Sequence, residues 1–178
     1  ITMPRLTAQL GGKYRSGHFE GVLFVVLKLL QLFSPDKAFF GRKDYQQWIV
    51  IKQMAAELSV PAEIVGCPLI REEDGLAMSS RNVHLDEKAR KHAVMIYRAL
   101  KLIEKSYHEG KTDVGELKEI GWDVIETGSL NRVEYLEFVS ADQLEPVTKV
   151  GPGTLVAVAA YTDGIRLIDN IEITGNQT

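Results

Sequence analysis

The sequence predicts an α/β domain with a parallel sheet, followed by a smaller α+β domain with antiparallel strands. An apolar strand, a helix and a second apolar strand follow one another over residues 37–67, which is the order of a βαβ unit and implies parallel pairing. Two helices and then three strands come next, in the order typical of an α+β unit. The change of character falls near residues 73–82, and we therefore expect domains over residues 1–73 and 74–178.

The first predicted element is an apolar helix over Val22–Phe33. It is apolar on nearly all sides, which predicts burial against a sheet, and Pro35 follows its end. A bilayer span needs roughly 20 apolar residues, whereas this run is shorter and contains Lys28 and Gln31, so no membrane segment is expected. The βαβ unit that follows consists of strand Lys37–Phe40, a helix over Asp44–Leu58 and strand Ala62–Cys67.

Capping and turn residues delimit the second half. Asp86 is a good N-cap for a helix that runs to Tyr107, and Gly110 provides its C-terminal stop. The segment Thr162-Asp163-Gly164 predicts a three-residue hairpin connection with Gly last. The remaining predicted elements are a helix over Asp113–Glu126 and strands over Val133–Ser140, Thr154–Tyr161 and Ile165–Ile173.

Composition argues against several classes of partner. The 178 residues are 45% hydrophobic and 25% charged, which are ordinary values for a globular protein. A net charge of −3 predicts binding neither to nucleic acid nor to an anionic membrane. Cys67 is the only cysteine, so no internal disulfide can form, and we expect no signal peptide; both favour a cytoplasmic protein.

The segment Gly41-Arg42-Lys43-Asp44 follows a predicted strand and opens a helix. Ligands of open α/β sheets lie beyond the carboxyl ends of the strands, and a helix N-terminus attracts anions. Lys43 is then placed to meet a phosphate, and Asp44 to accept hydrogen bonds from ribose hydroxyls. A solvated loop in which Asp44 only caps the helix explains the same residues equally well. Gln46 and Gln47 either bind a small polar substrate or are surface residues.

The densest group of phosphate-binding side chains follows the turn Asp74-Gly75. Met78-Ser79-Ser80-Arg81 places two hydroxyls and a guanidinium in four residues, and such groups bind phosphate oxygens. A methionine in a polar loop favours packing on a flat group such as a purine. The alternative is a turn built by the serines, with Arg81 on the surface.

A third pair of candidates, Arg15 and His18, precedes the apolar helix. The two residues are three apart and can face a carboxylate or a phosphate, although His18 can equally bond to backbone. No cluster of Cys and His occurs, so we expect no protein-held metal such as zinc. Neither a Walker A loop nor Gly-x-Gly-x-x-Gly is present.

Taken together, these segments resemble the pantoate–β-alanine ligase (pantothenate synthetase) family. The resemblance covers essentially the whole chain, in order. It implies a partial Rossmann-like nucleotidyltransferase domain before the α+β domain, and the Met-Ser-Ser-Arg stretch is similar to the mobile phosphate loop of class I aminoacyl-tRNA synthetases. The matching segments are Tyr14–Val22, Phe40–Gln47, Glu63–Pro68, Asp74–Asn82 and Arg166–Asn170.

The resemblance also implies a reaction and its participants. Pantoate and ATP, with Mg²⁺, would give pantoyl adenylate and pyrophosphate. β-Alanine would then attack the acyl adenylate to give AMP and pantothenate, which belongs to the coenzyme A pathway. The implied assembly is a homodimer.

The site residues implied by the resemblance fall into three groups. Those expected to hold the ATP phosphates are Lys43, Ser79, Ser80 and Arg81. Those expected to border the nucleoside are Gly41 and Asp44 at the ribose and Ile70 and Met78 at the adenine. Those expected to line the pantoate cleft are Gln47, Arg15 and His18.

Two features depart from the family pattern. The family's upstream His-x-Gly-His element is absent, and a parallel sheet of two strands cannot bury both its faces. We therefore expect the C-terminal portion of such an enzyme, and a non-catalytic binding or dimerisation module is the alternative to a ligase. Arg42 stands where the family usually has an acidic residue, and it should leave the roles of Lys43 and Asp44 in place.

Overall fold

The computed structural model describes residues 2–175 of the chain. The chain divides into two compact units between Leu69 and Ile70, whereas the sequence placed the domain boundary between Glu73 and Asp74. Residue 1 and residues 176–178, which the predicted domains also included, lie outside the described residues. Among the helices of the described residues, none combines the length and the apolar character of a bilayer span.

The first unit contains the predicted βαβ arrangement. Its two strands are parallel, in a register that runs from Lys37 opposite Glu63 to Gly41 opposite Cys67. A short helix and a 3-10 turn at its beginning were not predicted from the sequence. The elements in order are α1 (Pro4–Thr7), a 3-10 turn (Leu10–Lys13), α2 (His18–Phe33), β1 (Lys37–Gly41), a 3-10 turn (Arg42–Asp44), α3 (Tyr45–Glu57) and β2 (Glu63–Cys67).

Helix α3 supplies most of the core of the first unit. Ile51 and Met54 on this helix are fully buried. Trp48, one turn earlier, lies against β2 at Gly66, where an added Cβ would be 2.6 Å from the indole ring. Because packed interiors tolerate no such overlap, glycine at position 66 sets how closely α3 approaches the sheet. The position of the first turn of α3 follows from this contact.

The prediction that α2 is buried against a sheet is wrong: only one stripe of the helix is buried, and it packs against α3. Phe19, Leu23 and Leu30 are the buried residues. The described sheet has only two strands, so one stripe of α2 is covered and the rest of its apolar surface meets solvent. The side chains of this exposed α2 face are Phe24, Val25, Leu29, Leu32 and Phe33.

The second unit is the predicted α+β arrangement, with three antiparallel strands in the order β3-β4-β5 and two helices packed against them. A 3-10 turn before the first helix was not predicted, and β3 and β4 extend one or two residues beyond their predicted ends. The elements in order are a 3-10 turn (Ser80–His84), α4 (Glu87–His108), α5 (Val114–Glu126), β3 (Asn131–Ser140), β4 (Thr154–Thr162) and β5 (Ile165–Ile173).

The core of the second unit lies where α4 and α5 meet the sheet. Ile103 from α4, Leu117 from α5 and Leu136 from β3 have no exposed surface. Gly121 in α5 permits this approach, since an added Cβ would lie 2.6 Å from the Cδ1 atom of Ile103. The 3-10 turn at Ser80–His84 contacts β5, so the tightly packed sheet supports it.

The predicted helix ends of the second unit are confirmed. The carboxylate of Asp86 accepts a hydrogen bond from the Ala89 N–H at 2.7 Å, as an N-cap does. Gly110, with φ of 101°, follows the end of α4, and its N–H donates to the Tyr107 carbonyl. These caps fix the length of α4, the helix that supports the segment before it.

The hairpin between β4 and β5 differs from the predicted three-residue connection. Thr162 pairs with Ile165, so the connection consists only of Asp163 and Gly164. Both have positive φ, 49° and 79°, which is the conformation of a type I′ turn. The sequence pattern missed this because Asp-Gly is itself the preferred two-residue turn, which lets β4 extend through Thr162.

Candidate functional site

The corner between β1 and α3 presents Lys43 and Asp44 at the carboxyl end of the parallel sheet. Residues Arg42–Asp44 form a single 3-10 turn after β1. Asp44 is exposed and occupies the N-cap position of α3, but its side chain makes no capping hydrogen bond. The alternative in which Asp44 serves only as a helix cap therefore lacks its defining contact. Gly41 has an ordinary φ of −69° and space where a Cβ would lie, so neither backbone strain nor packing requires glycine there.

The adjacent residues Gln46 and Gln47 have different surroundings. Gln46 is 7% exposed, and its amide donates to the carbonyls of Leu6 at 2.8 Å and Gln9 at 2.7 Å. It therefore anchors the beginning of the chain to α3, a structural role that neither interpretation of the glutamine pair anticipated. Gln47 is partly exposed on the same helical turn.

Arg42, the residue that departs from the family pattern, lies over an aromatic ring. Its guanidinium carbon is 4.9 Å from the centroid of the Trp48 ring, a cation–π distance. Lys52 lies 5.5 Å from the same centroid. The positive charge of Arg42 is thus engaged within the first unit, beside Lys43 in sequence.

Arg15 and His18, the third pair of candidates, lie in contact with each other. A guanidinium nitrogen of Arg15 lies 3.2 Å from Nδ1 of His18. Since a guanidinium can only donate, Nδ1 is the acceptor in this contact, and the proton of a neutral imidazole is then on Nε2. The pair stands at the start of α2.

In the second unit, a short antiparallel turn brings Ile70 and Met78 together. Arg71 and Ala77 form an antiparallel bridge, and the Met78 N–H donates to the Ile70 carbonyl at 3.0 Å. Both predicted adenine neighbours are exposed, Ile70 at 65% and Met78 at 54%. Two adjacent large apolar side chains on a polar surface are suited to a flat apolar ligand. Gly75, with φ of 91°, provides the left-handed residue of the turn.

The Ser79-Ser80-Arg81 segment is a turn and also presents polar groups outward. The Ser79 hydroxyl accepts from the Arg81 N–H at 3.2 Å and so caps the 3-10 turn that follows. The turn alternative considered for the serines is therefore confirmed for Ser79. The side chains of Ser80 and Arg81 are exposed, in agreement with either a surface role or a ligand-binding role.

Charged residues fix the segment that leads into this turn. Glu72 accepts hydrogen bonds from Asn82 and from Arg90 on α4, and these bonds lower the pKa of the Glu72 carboxyl. Burial raises the pKa of Asp74, but the bonds from the Leu76 N–H and from Arg90 outweigh it and lower that pKa overall. The same carboxylates raise the pKa of Arg90.

A second tie joins this segment to β5 through Arg71. Its guanidinium makes two hydrogen bonds to the carboxylate of Asp169, at 2.6 and 2.9 Å, and lies 3.8 Å from the centroid of the Tyr97 ring. Sequence reasoning assigned no role to Arg71, Glu72, Arg90 or Asp169. The one available signal was a carboxylate and an amide, Asp169-Asn170, in the middle of a predicted strand, where a buried charge needs a partner.

Within residues 2–175, no three His, Cys, Asp or Glu side chains form a group that could hold a metal ion. Mg²⁺ in nucleotide enzymes is commonly held by one or two carboxylates together with the substrate phosphates, and it does not require a cage of protein ligands. The exposed Asp44 carboxylate is of the type that such an ion accepts. The donor set is therefore compatible with an ion that arrives bound to a nucleotide.

The model of one protein family matches residues 1–172, and its description is pantoate-beta-alanine ligase. The chain belongs to the pantoate–β-alanine ligase family. A relative in the family, the pantothenate synthetase of Caldicellulosiruptor bescii, is 45% identical over 97% of this chain and 61% of its own length. The pantoate–β-alanine ligase of Arabidopsis thaliana is also 45% identical, over 97% of this chain and 56% of its own.

Solved structures of the pantoate–β-alanine ligase family share the fold. Pantothenate synthetase from Thermus thermophilus superposes with a TM-score of 0.92 at 40% identity, over 98% of this chain and 63% of that one. The Francisella tularensis ligase, solved in complex with β-γ ATP and β-alanine, gives a TM-score of 0.72 at 31% identity, over 98% of this chain and 58% of that one. The chain thus spans about three fifths of the length of the relatives it matches.

Proposed function

We propose that this chain provides nucleotide- and pantoate-binding residues of an ATP-dependent ligase that condenses pantoate with β-alanine. The observation that carries the proposal is the family match over residues 1–172. Asp44, Ser80 and Arg81, which belong to segments that resemble the family's motifs, also have exposed side chains. The F. tularensis relative, with its ATP analogue and β-alanine, supports these substrate classes.

The proposed reaction has two steps. A carboxylate oxygen of pantoate attacks the α-phosphorus of ATP, the bond to the β-phosphate breaks, and pyrophosphate leaves. The amine of β-alanine then attacks the acyl carbon of pantoyl adenylate, AMP leaves, and the nitrogen loses a proton to give pantothenate. Both steps place negative charge on phosphate oxygens, so fixed cations and N–H donors are the groups that lower the barriers.

Lys43 in the first unit and Ser80 and Arg81 in the second are proposed to bind the phosphates. Lys43 stands on the turn at the carboxyl end of β1, where ligands of parallel sheets bind. Arg81 offers a planar fork of donors suited to two phosphate oxygens. Ser79 accepts from a backbone N–H and still has its hydroxyl proton to donate.

The nucleoside is proposed to lie against residues that folding leaves uncovered. Open space beside Gly41 allows a ribose to approach the backbone, and Asp44 can accept from its hydroxyls. Ile70 and Met78 provide the apolar surfaces for adenine. Magnesium is proposed to enter with the triphosphate and to neutralise part of its charge.

The pantoate residues are proposed to be Gln47, Arg15 and His18. Gln47 carries an amide on the first turn of α3, and its neighbour Gln46 is already committed to the fold. Arg15 can pair with a carboxylate, and its contact with Nδ1 of His18 places the proton of a neutral imidazole on Nε2. A cytoplasmic setting and homodimeric assembly complete the proposal.

The test is ATP binding and AMP formation by the chain. Lys43→Ala should weaken ATP binding by about 1.5–3 kcal/mol, the usual worth of a hydrogen bond to a charged group. Lys37→Ala is the matched control, because Lys37 stands at the opposite end of β1 from Lys43 and pairs with exposed Glu63. Titration calorimetry with ATP, and AMP release with pantoate and β-alanine present, give the two readouts. Failure of the wild-type chain to bind ATP would contradict the proposal.

The exposed α2 face favours a second candidate function, a module that associates with another copy of the chain. The apolar side chains of this face lie on one helix and have large exposed fractions, from 47% for Leu29 to 75% for Phe33. Contiguous apolar surface of this kind commonly marks an interface. This candidate requires association without nucleotide binding, so the calorimetric titration separates the two functions.

A further inference from the structure

Asn82 is buried, 6% exposed, although Met78, Ser80 and Arg81 immediately before it in the same motif are exposed. Its Nδ2 donates to the carboxylate of Glu72 at 2.5 Å and to the carbonyl of Ala77 at 3.1 Å. Ala77 precedes the Met78–Arg81 segment and Asn82 follows it. One side chain therefore joins the two ends of the four residues proposed to meet the nucleotide.

The orientation of this amide follows from its neighbours. A carboxylate and a carbonyl can only accept, so exchange of Oδ1 and Nδ2 would set three acceptors against one another. The backbone of Asn82 supports the same shape, because its N–H donates to the Ser79 carbonyl at 3.0 Å and its carbonyl accepts from Leu85 at 3.1 Å. The side-chain and backbone contacts thus close the same turn.

Arg90 connects this closure to the fold. It donates to Glu72 at 2.6 Å and to Asp74 at 2.8 Å from a position on α4. Apolar burial cannot take the place of this connection, since Met78 is 54% exposed and Val83 is 80% exposed. The shape of the segment therefore depends on polar contacts at its base more than on packing.

We propose that Asn82 is the positioning residue that holds Met78–Arg81 in the shape that binds nucleotide phosphates. It acts through the segment and need not touch the ligand. The proposal rests on the proposed function, since it assigns Asn82 to the same nucleotide site. A buried amide that makes two hydrogen bonds beside the exposed residues Met78, Ser80 and Arg81 is explained by this role.

The first test measures hydrogen exchange of the backbone amides at 78–84 without any ligand. Asn82→Ala should accelerate exchange there roughly tenfold to hundredfold, the equivalent of one hydrogen bond to a charged group. Asn131→Ala is the matched control, because the Nδ2 of Asn131 likewise donates to two acceptors, the carbonyls of His92 and Ile125. It should leave exchange at 78–84 unchanged, and equal exchange in wild type and Asn82→Ala would overturn the proposal.

The second test uses pH and the near-isosteric variant Asn82→Asp. At about pH 7.5 the introduced aspartate and Glu72 should both be ionised and repel each other, so backbone exchange should be as fast as in Asn82→Ala. At about pH 5 the two carboxylates should share a proton, which restores a hydrogen-bond donor and should slow the exchange. Arg90 on α4 faces Glu72, Asp74 faces Arg90, and Asp169 on β5 is paired with Arg71. Exchange rates, corrected for intrinsic pH dependence, that stay equal in the two variants would contradict the role.

The third test is ATP affinity. Asn82→Ala should weaken ATP binding about tenfold or more, since the phosphate ligands lose their fixed shape, while Asn131→Ala should not. If the wild-type chain binds ATP and Asn82→Ala binds it equally well, the positioning role fails. If the wild-type chain binds no ATP, the proposed function fails, and the exchange measurements still decide whether Asn82 shapes the segment.

Discussion

Arg71 and Asp169, 98 residues apart in sequence, form a two-bond ion pair inside the second unit. The carboxylate of Asp169 is 4% exposed and the guanidinium of Arg71 is 19% exposed. Arg71 also donates to the Gly75 carbonyl at 3.1 Å. The pair therefore ties the turn that carries Ile70 and Met78 to the edge of the sheet.

Removal of one member of this pair should destabilise the second unit. Arg71→Ala leaves the Asp169 carboxylate buried without its cation, and such changes cost about 3–5 kcal/mol. Equilibrium urea unfolding, followed through the exchange protection of β3–β5, measures the loss for this unit alone. Lys91→Ala removes an exposed ion pair from α4 and should cost about 1 kcal/mol or less. An equal loss in the two variants would refute the special role of the buried pair.

Acid should weaken the second unit through Glu72 and Asp74. The pKa of each carboxyl is lowered in the folded chain, so each contributes stability above its unfolded value that is lost as pH falls through the folded value. The loss should begin below about pH 4.5 and grow toward about pH 3. Glu72→Gln should flatten this limb of the stability curve. Glu87→Gln is the control, because Glu87 is an 88% exposed carboxylate at the start of α4. Equal stability curves for Glu72→Gln and Glu87→Gln would contradict the prediction.

The two-residue hairpin makes Gly164 sensitive to substitution. Its φ of 79° is unfavourable for any residue with a Cβ, so Gly164→Ala should lower the unfolding free energy by about 1–2 kcal/mol. Gly151→Ala is the control, because position 151 has space for a Cβ and no positive φ. Urea unfolding of the two variants checks the prediction. A neutral Gly164→Ala would mean that the connection is not a type I′ turn.

Recognition of the adenine base and recognition of the phosphates should depend on different residues of the Met78–Arg81 segment. Met78→Ser should weaken ATP binding, because the adenine loses apolar contact, but should leave binding of inorganic tripolyphosphate unchanged. Arg81→Ala should weaken both ligands by roughly tenfold to hundredfold. Parallel calorimetric titrations of the two variants measure this. Similar losses for both ligands in Met78→Ser would remove the purine role.

The exposed α2 face should drive association between copies of the chain. Leu32→Asp places a charge on a side chain that is 69% exposed, so it should reduce self-association without destabilising the monomer. Light scattering across a concentration series gives the mass. Gln31→Asp, on the preceding residue, controls for added charge alone. A chain that stays monomeric before mutation would contradict homodimerisation through this face.

The βαβ unit, the three-stranded sheet and the caps of α4 followed from local patterns, since the periodicity at Ala93, Ile96 and Leu100 and the Asp86 cap require no knowledge of distant residues. The surroundings of α2 could not be predicted from the sequence. Its composition shows that the helix can be buried, but it does not show which elements cover it. Among the candidate residues, the sequence placed Arg15 and His18 near each other but did not predict their mutual contact.

The residues that shape the part of the candidate site in the second unit could not be predicted from the sequence. Arg71 meets Asp169 and Glu72 meets Arg90 only after the chain has folded, and no local pattern indicates which distant charge a given residue will meet. Asn82 lies at the end of the Asp74–Asn82 motif. Its neighbours in sequence, Arg81 and Val83, are exposed, so the burial of Asn82 could not be inferred. The roles of Lys43 and Arg81 remain predictions.

Gln46 and Gln47 illustrate how easily the biochemistry of this chain could be misjudged. The former holds Leu6 and Gln9 to α3, and the latter is proposed to meet the acid substrate. A library of variants scored by product formation alone would give both positions the same low value. Only a parallel score for the amount of intact protein would separate the structural role of Gln46 from the binding role proposed for Gln47.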